Sequence, residues 1–146
     1  DIAADARGSW VDLGSGGGFP GLVVAICRPD LKVTLIESDQ RKASFLRSVI
    51  RETLLQNAAV IAKRIEAVDR LDAANVSARA LASLPQLMAY VERHLNMGGK
   101  AWLMKGRNWQ TEVAEARRDW SFDLKAHPSS TDPDAASLEI TGISHV

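Results

Sequence analysis

The chemistry-bearing residues of this chain gather first in the run Trp10-Val11-Asp12-Leu13-Gly14-Ser15-Gly16-Gly17-Gly18-Phe19-Pro20-Gly21. An apolar stretch ends in an acid and opens into a segment with so little side chain that a ligand can lie against bare backbone. Glycine accepts the positive φ angles of such a loop and leaves room for close approach. Apolar residues at helical spacing follow from Gly21 to Cys27, so the free N–H groups and positive dipole end of a helix face the same point. This combination binds a nucleotide-type cofactor. Gly16, Gly18 and Gly21 satisfy G-x-G-x-x-G, which brings in dinucleotides and hydride transfer. Two features oppose that reading. The first glycine is Gly14, which leaves Phe19-Pro20 where a pyrophosphate would approach, and Pro20 has no N–H to offer an anion.

The remaining polar candidates follow other apolar runs. Glu37 closes Lys32 to Glu37, and a carboxylate there can accept two hydrogen bonds from a ribose diol. Arg64-Ile65-Glu66, Ser77-Ala78-Arg79 and Lys105-Gly106-Arg107 occupy equivalent positions further along. Parallel strands alternating with helices would bring all of these to one edge of a sheet, where ligands of such folds bind. The pattern supplies those elements: strands at Ala59 to Ala62, Ala74 to Ala78 and Lys100 to Met104, and helices at Gln40 to about Leu55, Leu84 to Leu95 and Trp109 to Arg118. A Gly98-Gly99 turn closes the third helix. Trp120 to His127 and Ser137 to Ser144 alternate apolar and polar residues around a Pro/Ser/Asp turn, the mark of an antiparallel hairpin. The expected fold is α/β and Rossmann-like: a mostly parallel, seven-stranded sheet ending in that hairpin, as in class I methyltransferases dependent on S-adenosylmethionine (SAM).

Composition narrows the function classes. The chain has 146 residues, enough for one domain with its own core. Eighteen basic and eighteen acidic side chains balance, which counts against a pure nucleic-acid-binding module. A single cysteine, Cys27, excludes an internal disulfide and a Cys-rich zinc site. It reads as a small buried hydrophobe on the helix after the loop. No metal site is expected. No apolar stretch reaches the roughly 20 residues of a membrane helix, and a cytoplasmic monomer is expected. The three histidines have no partners at catalytic spacing, and the four tryptophans read as core, with Trp109 the one that could be exposed near the cleft.

An ordered series of segments carries a family resemblance. Asp12 to Gly21 is followed by Ile36-Glu37-Ser38-Asp39-Gln40-Arg41-Lys42, Phe45-Leu46-Arg47, Arg64-Ile65-Glu66, Ser77-Ala78-Arg79-Ala80 and Met104-Lys105-Gly106. From Trp10 onward the chain resembles the bacterial small-subunit rRNA guanine-N7 methyltransferases, also called glucose-inhibited division protein B. The Gly-Phe-Pro-Gly ending and the Ser-x-Arg-Ala segment are the most specific parts. The resemblance implies SAM as cofactor, 16S rRNA as partner within the small ribosomal subunit or a precursor, and 7-methylguanosine at guanine 527 of the 530 loop as product. It also implies an N-terminal helical segment with a His-x-x-Asp-Ser-like stretch, which these residues lack.

Each site residue then takes an expected place. Backbone groups of Gly14 and Phe19 line the methionine half of the cofactor, Gly16 and Gly18 are cofactor-binding positions of the same loop, and Glu37 holds the ribose. The Ile65 backbone and the Glu66 carboxylate fall where the adenine amino group needs an acceptor, although a first-turn acid would also suit the helix dipole. Asp12 either orients the methionine ammonium or braces the glycine loop. Arg79 is the expected catalytic residue, on the cofactor and substrate side, able to pair with the cofactor carboxylate or with an RNA phosphate, the alternative being a strand-end arginine paired with a nearby acid. Lys105 and Arg107 are candidate phosphate contacts, with a solvated loop charge as the alternative. Arg41, Lys42, Arg47 and Arg51 give the second helix a basic side, which is usually no more than a solvated face. Guanine N7 has a lone pair and no proton, so no general base is required. The chain agrees, having no Asn/Asp-Pro-Pro-aromatic motif after the fourth strand and no strand-end cysteine. The rival readings are a nicotinamide-dependent oxidoreductase, for which no substrate domain is available, and a catalytically silent binding module.

Overall fold

A computed structural model of the chain describes residues 7–79 and 81–146; Ala80 of the Ser-x-Arg-Ala segment lies outside them. Five apolar, β-rich runs form parallel strands: β1 (Ser9–Leu13), β2 (Lys32–Ile36), β3 (Ala58–Ile61), β4 (Ala73–Arg79) and β5 (Leu95–Lys105). Helices α1 (Gly21–Cys27), α2 (Gln40–Glu52), α3 (Leu84–His94) and α4 (Trp109–Ala116) lie among them in the chain, with a 3-10 turn at Ile65–Ala67. β6 (Trp120–Pro128) and β7 (Ala136–His145) form the hairpin, and β7 runs antiparallel to both β5 and β6. The seven-stranded order is β3-β2-β1-β4-β5-β7-β6. This is the α/β architecture that the sequence implies.

Chain order reverses between β1 and β4, and a crevice opens at that switch point beyond the carboxyl ends of the strands. The core has two parts. One gathers α3, α4 and β7 around Leu84, Leu87, Met88, Leu103 and Leu138. The other joins α1 and α2 to the sheet through Leu22, Leu35 and Leu46, with Trp10 and Trp102 stacked at 6.2 Å between ring centroids. The tryptophans are therefore core, and Trp109 packs partly buried against it instead of standing at the cleft.

Three local expectations are corrected. Cys27 is exposed, because α1 buries Gly21, Leu22, Val24 and Ala25 and the last residue of the helix lies off that stripe. Gly98 and Gly99 do not separate α3 from β5. The strand starts at Leu95, and pairing jumps from Ala73↔Leu95 to Asn75↔Lys100, so the glycines bulge out of the ladder. The second helix, α2, stops at Glu52, short of the expected Leu55, and Asn57 beyond it donates its amide nitrogen to the carbonyls of Ala25, Arg28 and Leu31. No helix among the described residues is long and apolar enough to cross a membrane.

Candidate active site

The glycine loop is shaped by its own amides. Ser15 N–H donates to the Ile36 carbonyl at 3.1 Å, Gly18 N–H to Ser15 at 2.7 Å and Leu22 N–H to Gly18 at 2.7 Å. Gly14, Gly16 and Gly18 all have positive φ, at 64°, 50° and 90°, a region closed to most side chains. Gly21 is required for a different reason. A Cβ there would lie 2.5 Å from Leu35 Cδ2 and 2.6 Å from Asp12 Cβ, so only glycine lets α1 sit this close to β1 and β2.

Asp12 proves to be the brace of this loop. Its Oδ2 accepts from Gly21 N–H at 3.2 Å and its Oδ1 from the Ser77 hydroxyl at 2.7 Å, which in turn accepts from Trp10 Nε1. The side chain is shut off from solvent and does not line the cleft. Burial pushes its carboxyl up to about 6, against the lowering effect of the Ser77 and Gly21 hydrogen bonds. Of the two expected roles, the bracing of the loop from beneath is the one these contacts display.

Glu37 is held from two sides. Oε1 accepts from Gly16 N–H at 2.6 Å and Oε2 from Asp39 N–H at 2.9 Å. Asp39 caps α2 through Arg41 N–H and Lys42 N–H, so the cap, the acid and the glycine loop form one connected unit. The carboxylate is buried yet borders a cleft of about 590 Å³. Gly14, Gly16, Phe19, Glu37, Ile65, Glu66 and Arg79 all line that cleft. Gly18 does not; it turns into α1, where a Cβ would stand 3.0 Å from Leu22.

Ile65 is buried at the start of the 3-10 turn, while Glu66 is half exposed and 3.7 Å from Arg64. Sequence reasoning missed Gln86 and Tyr90, which also border the cleft, with Gln86 Nε2 donating to the Tyr90 hydroxyl at 3.1 Å. Their spacing on α3 was the available signal, since residues four apart share a helix face.

Arg79 ends β4 with its guanidinium 5.1 Å from the Phe19 ring centroid, a cation–π distance. These two residues also border a second cleft of about 960 Å³, over the β5-β7-β6 half of the sheet. Strand register aligns Arg79, Met104, Ser137 and His127 across it. Lys100 and Lys125 lie there too, and Glu139 sits 3.6 Å from Lys100 and 3.2 Å from His127.

Lys105 departs from its expected place. Its ammonium is buried, 2.9 Å from Glu112 and 2.8 Å from the Ala82 carbonyl it donates to. A buried ammonium needs such partners, and these occupy it internally instead of presenting it to a phosphate. Arg107 is exposed and 3.7 Å from Asp134, outside both clefts. Arg41, Lys42, Arg47 and Arg51 are exposed on α2, and Lys42 reaches the first cleft.

Residues 2–137 match the family described as rRNA small subunit methyltransferase G, GidB. A relative from Paracoccus denitrificans, named ribosomal RNA small subunit methyltransferase G, is 71% identical over 99% of this chain and 75% of its own length. The chain belongs to this family. Another member of the same name, from Ruegeria pomeroyi, is 48% identical over 94% of the chain and 69% of its own length. Among solved structures, a variant of MtNAS in complex with S-adenosylmethionine superposes with a TM-score of 0.75 at 15% identity. It covers 96% of this chain and 57% of its own, a likeness of fold.

Proposed function

We propose that the chain is a SAM-dependent rRNA methyltransferase that modifies N7 of guanine 527 in 16S rRNA. The observation that carries this reading is that Phe19 and Arg79 border both clefts. The first cleft has the parts for a nucleoside cofactor: bare loop backbone at Gly14 and Gly16, a pre-oriented Glu37 for ribose hydroxyls, and the turn at Ile65 and Glu66 for adenine. The second leads the substrate base to the same junction, with Arg79, Lys100 and Lys125 available to phosphates. Held by the Gly14–Gly16 loop backbone, Glu37 and the turn at Ile65 and Glu66, SAM would supply an electrophilic sulfonium methyl for N7, its sulfur leaving as a neutral thioether.

The protein's part is alignment. The Asp12 brace and the Glu37 clamp fix the loop, so the reacting groups meet in a set geometry, and no residue has to remove a proton. Arg79 is a catalytic residue in this scheme, with its charge beside the junction and over the Phe19 ring. Lys105 holds the scaffold from within and Arg107 is the exposed phosphate contact. The substrate partner is the small ribosomal subunit or a precursor, met by a cytoplasmic, single-domain monomer.

The test is labelled-methyl transfer to unmethylated small subunits carrying either guanine or another base at position 527. Label is expected only with guanine. Arg79→Ala should lower the rate tenfold or more, since a charge-assisted contact is worth about 1.5–3 kcal/mol. Label elsewhere, or an unchanged rate in the variant, would remove the site or the role respectively.

A further inference from the structure

The 3-10 turn that borders the first cleft is fastened from behind by the C-terminal end of α3. His94 Nε2 donates to the Ile65 carbonyl at 3.0 Å, and that oxygen also accepts from Val68 N–H. Arg93, the preceding residue, donates through Nε and Nη2 to the Val68 carbonyl at 3.0 and 2.8 Å. The attachment is reciprocal. Arg70, just beyond the turn, donates back to the carbonyls of Glu92, Arg93 and Leu95 at the end of α3. Both ends of the turn are therefore tied to one helix terminus by side-chain donors.

His94 is the unusual member of this set. It is fully buried, and its Nδ1 has no hydrogen-bond partner among the described residues. Burial, with smaller contributions from Arg93 and Arg70, holds the imidazole below its ordinary pKa. Its Nε2 carries a proton directed at Ile65, because a carbonyl can only accept. A leucine or phenylalanine would fill the same space without stranding a polar atom. What the imidazole adds is one directed N–H to the first residue of the turn.

We propose that His94, with Arg93, positions the Ile65–Glu66 turn to receive the adenine end of the cofactor, and so sets cofactor affinity. This rests on the cofactor reading of the first cleft given above. His94 is a positioning residue: it touches the back of the turn and acts through Ile65.

The experiment is calorimetric titration of the protein with S-adenosylhomocysteine, alongside His94→Phe and His94→Gln. Phenylalanine keeps the ring volume and loses the donor; glutamine can return an N–H to the same carbonyl. His94→Phe is expected to weaken binding about tenfold, the scale of one directed hydrogen bond. His94→Gln is expected to recover most of that loss. A general packing role would lower the melting temperature of both variants without this split. Arg93→Met, which removes the two bonds to Val68 from a partly exposed side chain, is expected to weaken binding about threefold and serves if His94→Phe does not fold. Wild-type affinity in a folded His94→Phe or Arg93→Met protein overturns the proposal alone, as does a His94→Gln variant no better than phenylalanine. Failure of the wild-type protein to bind overturns the cofactor reading, and the proposal with it.

Discussion

At the scale of single residues, this site depends on positions where the backbone tolerates no alternative. Gly16 combines a φ of 50° with an N–H donated to Glu37. Gly16→Val therefore strains the loop and disturbs Glu37 together. Calorimetry should detect no binding of S-adenosylhomocysteine to the folded variant, and retained affinity would sink the loop assignment. Asp12 yields a prediction in pH. Its folded pKa, about 6, lies above the 3.8 of a free aspartate. Its contribution to stability is thus fully present below about pH 4 and lost as pH rises through about 6, a change of about 3 kcal/mol. Urea unfolding from pH 4 to 7 should show wild type losing stability relative to Asp12→Asn, and parallel pH profiles would refute the shift. The types of these residues were legible in the sequence. The choice between a ligand-facing and a bracing Asp12 was not, because it is decided by the Ser77 hydroxyl opposite on β4 and by the packing of Gly21.

At the scale of elements, the sequence marked nearly every strand and helix, and its errors fell where contacts distant in sequence intervene. Cys27 reads as buried only until α1 is docked, and the Gly98-Gly99 pair reads as a turn until β4 pairs across it. Lys105 shows the same limit. From sequence it is a cation beyond the fifth strand, yet Glu112 on α4 takes its charge. Glu112 also accepts Leu84 N–H at 2.8 Å, in the first turn of α3. One ion pair therefore ties β5 and α4 to the start of α3. Lys105→Met should cost on the order of 3 kcal/mol in urea unfolding, because it leaves a partly buried carboxylate without its counter-charge. A loss under about 0.5 kcal/mol, the usual value of an exposed pair, would show that the bridge does not hold these elements together.

At the scale of the whole molecule, the glycine loop, Glu37, the Ile65 turn and Arg79 come from β1, β2, β3 and β4 and meet at the crevice where strand order reverses. A ligand that bridges them should stabilise the entire fold. S-adenosylhomocysteine at a hundred times its Kd should add about 2.7 kcal/mol to unfolding, seen as a raised Tm, whereas NADH at the same concentration should add nothing. The reverse order of effects would return the dinucleotide reading. The sequence by itself determined the α/β alternation, the glycine loop and the residue types at each strand end, because periodicity and glycine's backbone freedom are local properties. It also carried the family, through the ordered motifs from Asp12 to Gly106. Only the tertiary structure decided that Asp12 lies beneath the loop, that Lys105 is spent on Glu112, that Phe19 and Arg79 stand between two clefts, and that His94 holds Ile65. Each of those depends on a partner far along the chain, and burial and hydrogen-bond pairing are fixed only when the strands and helices pack.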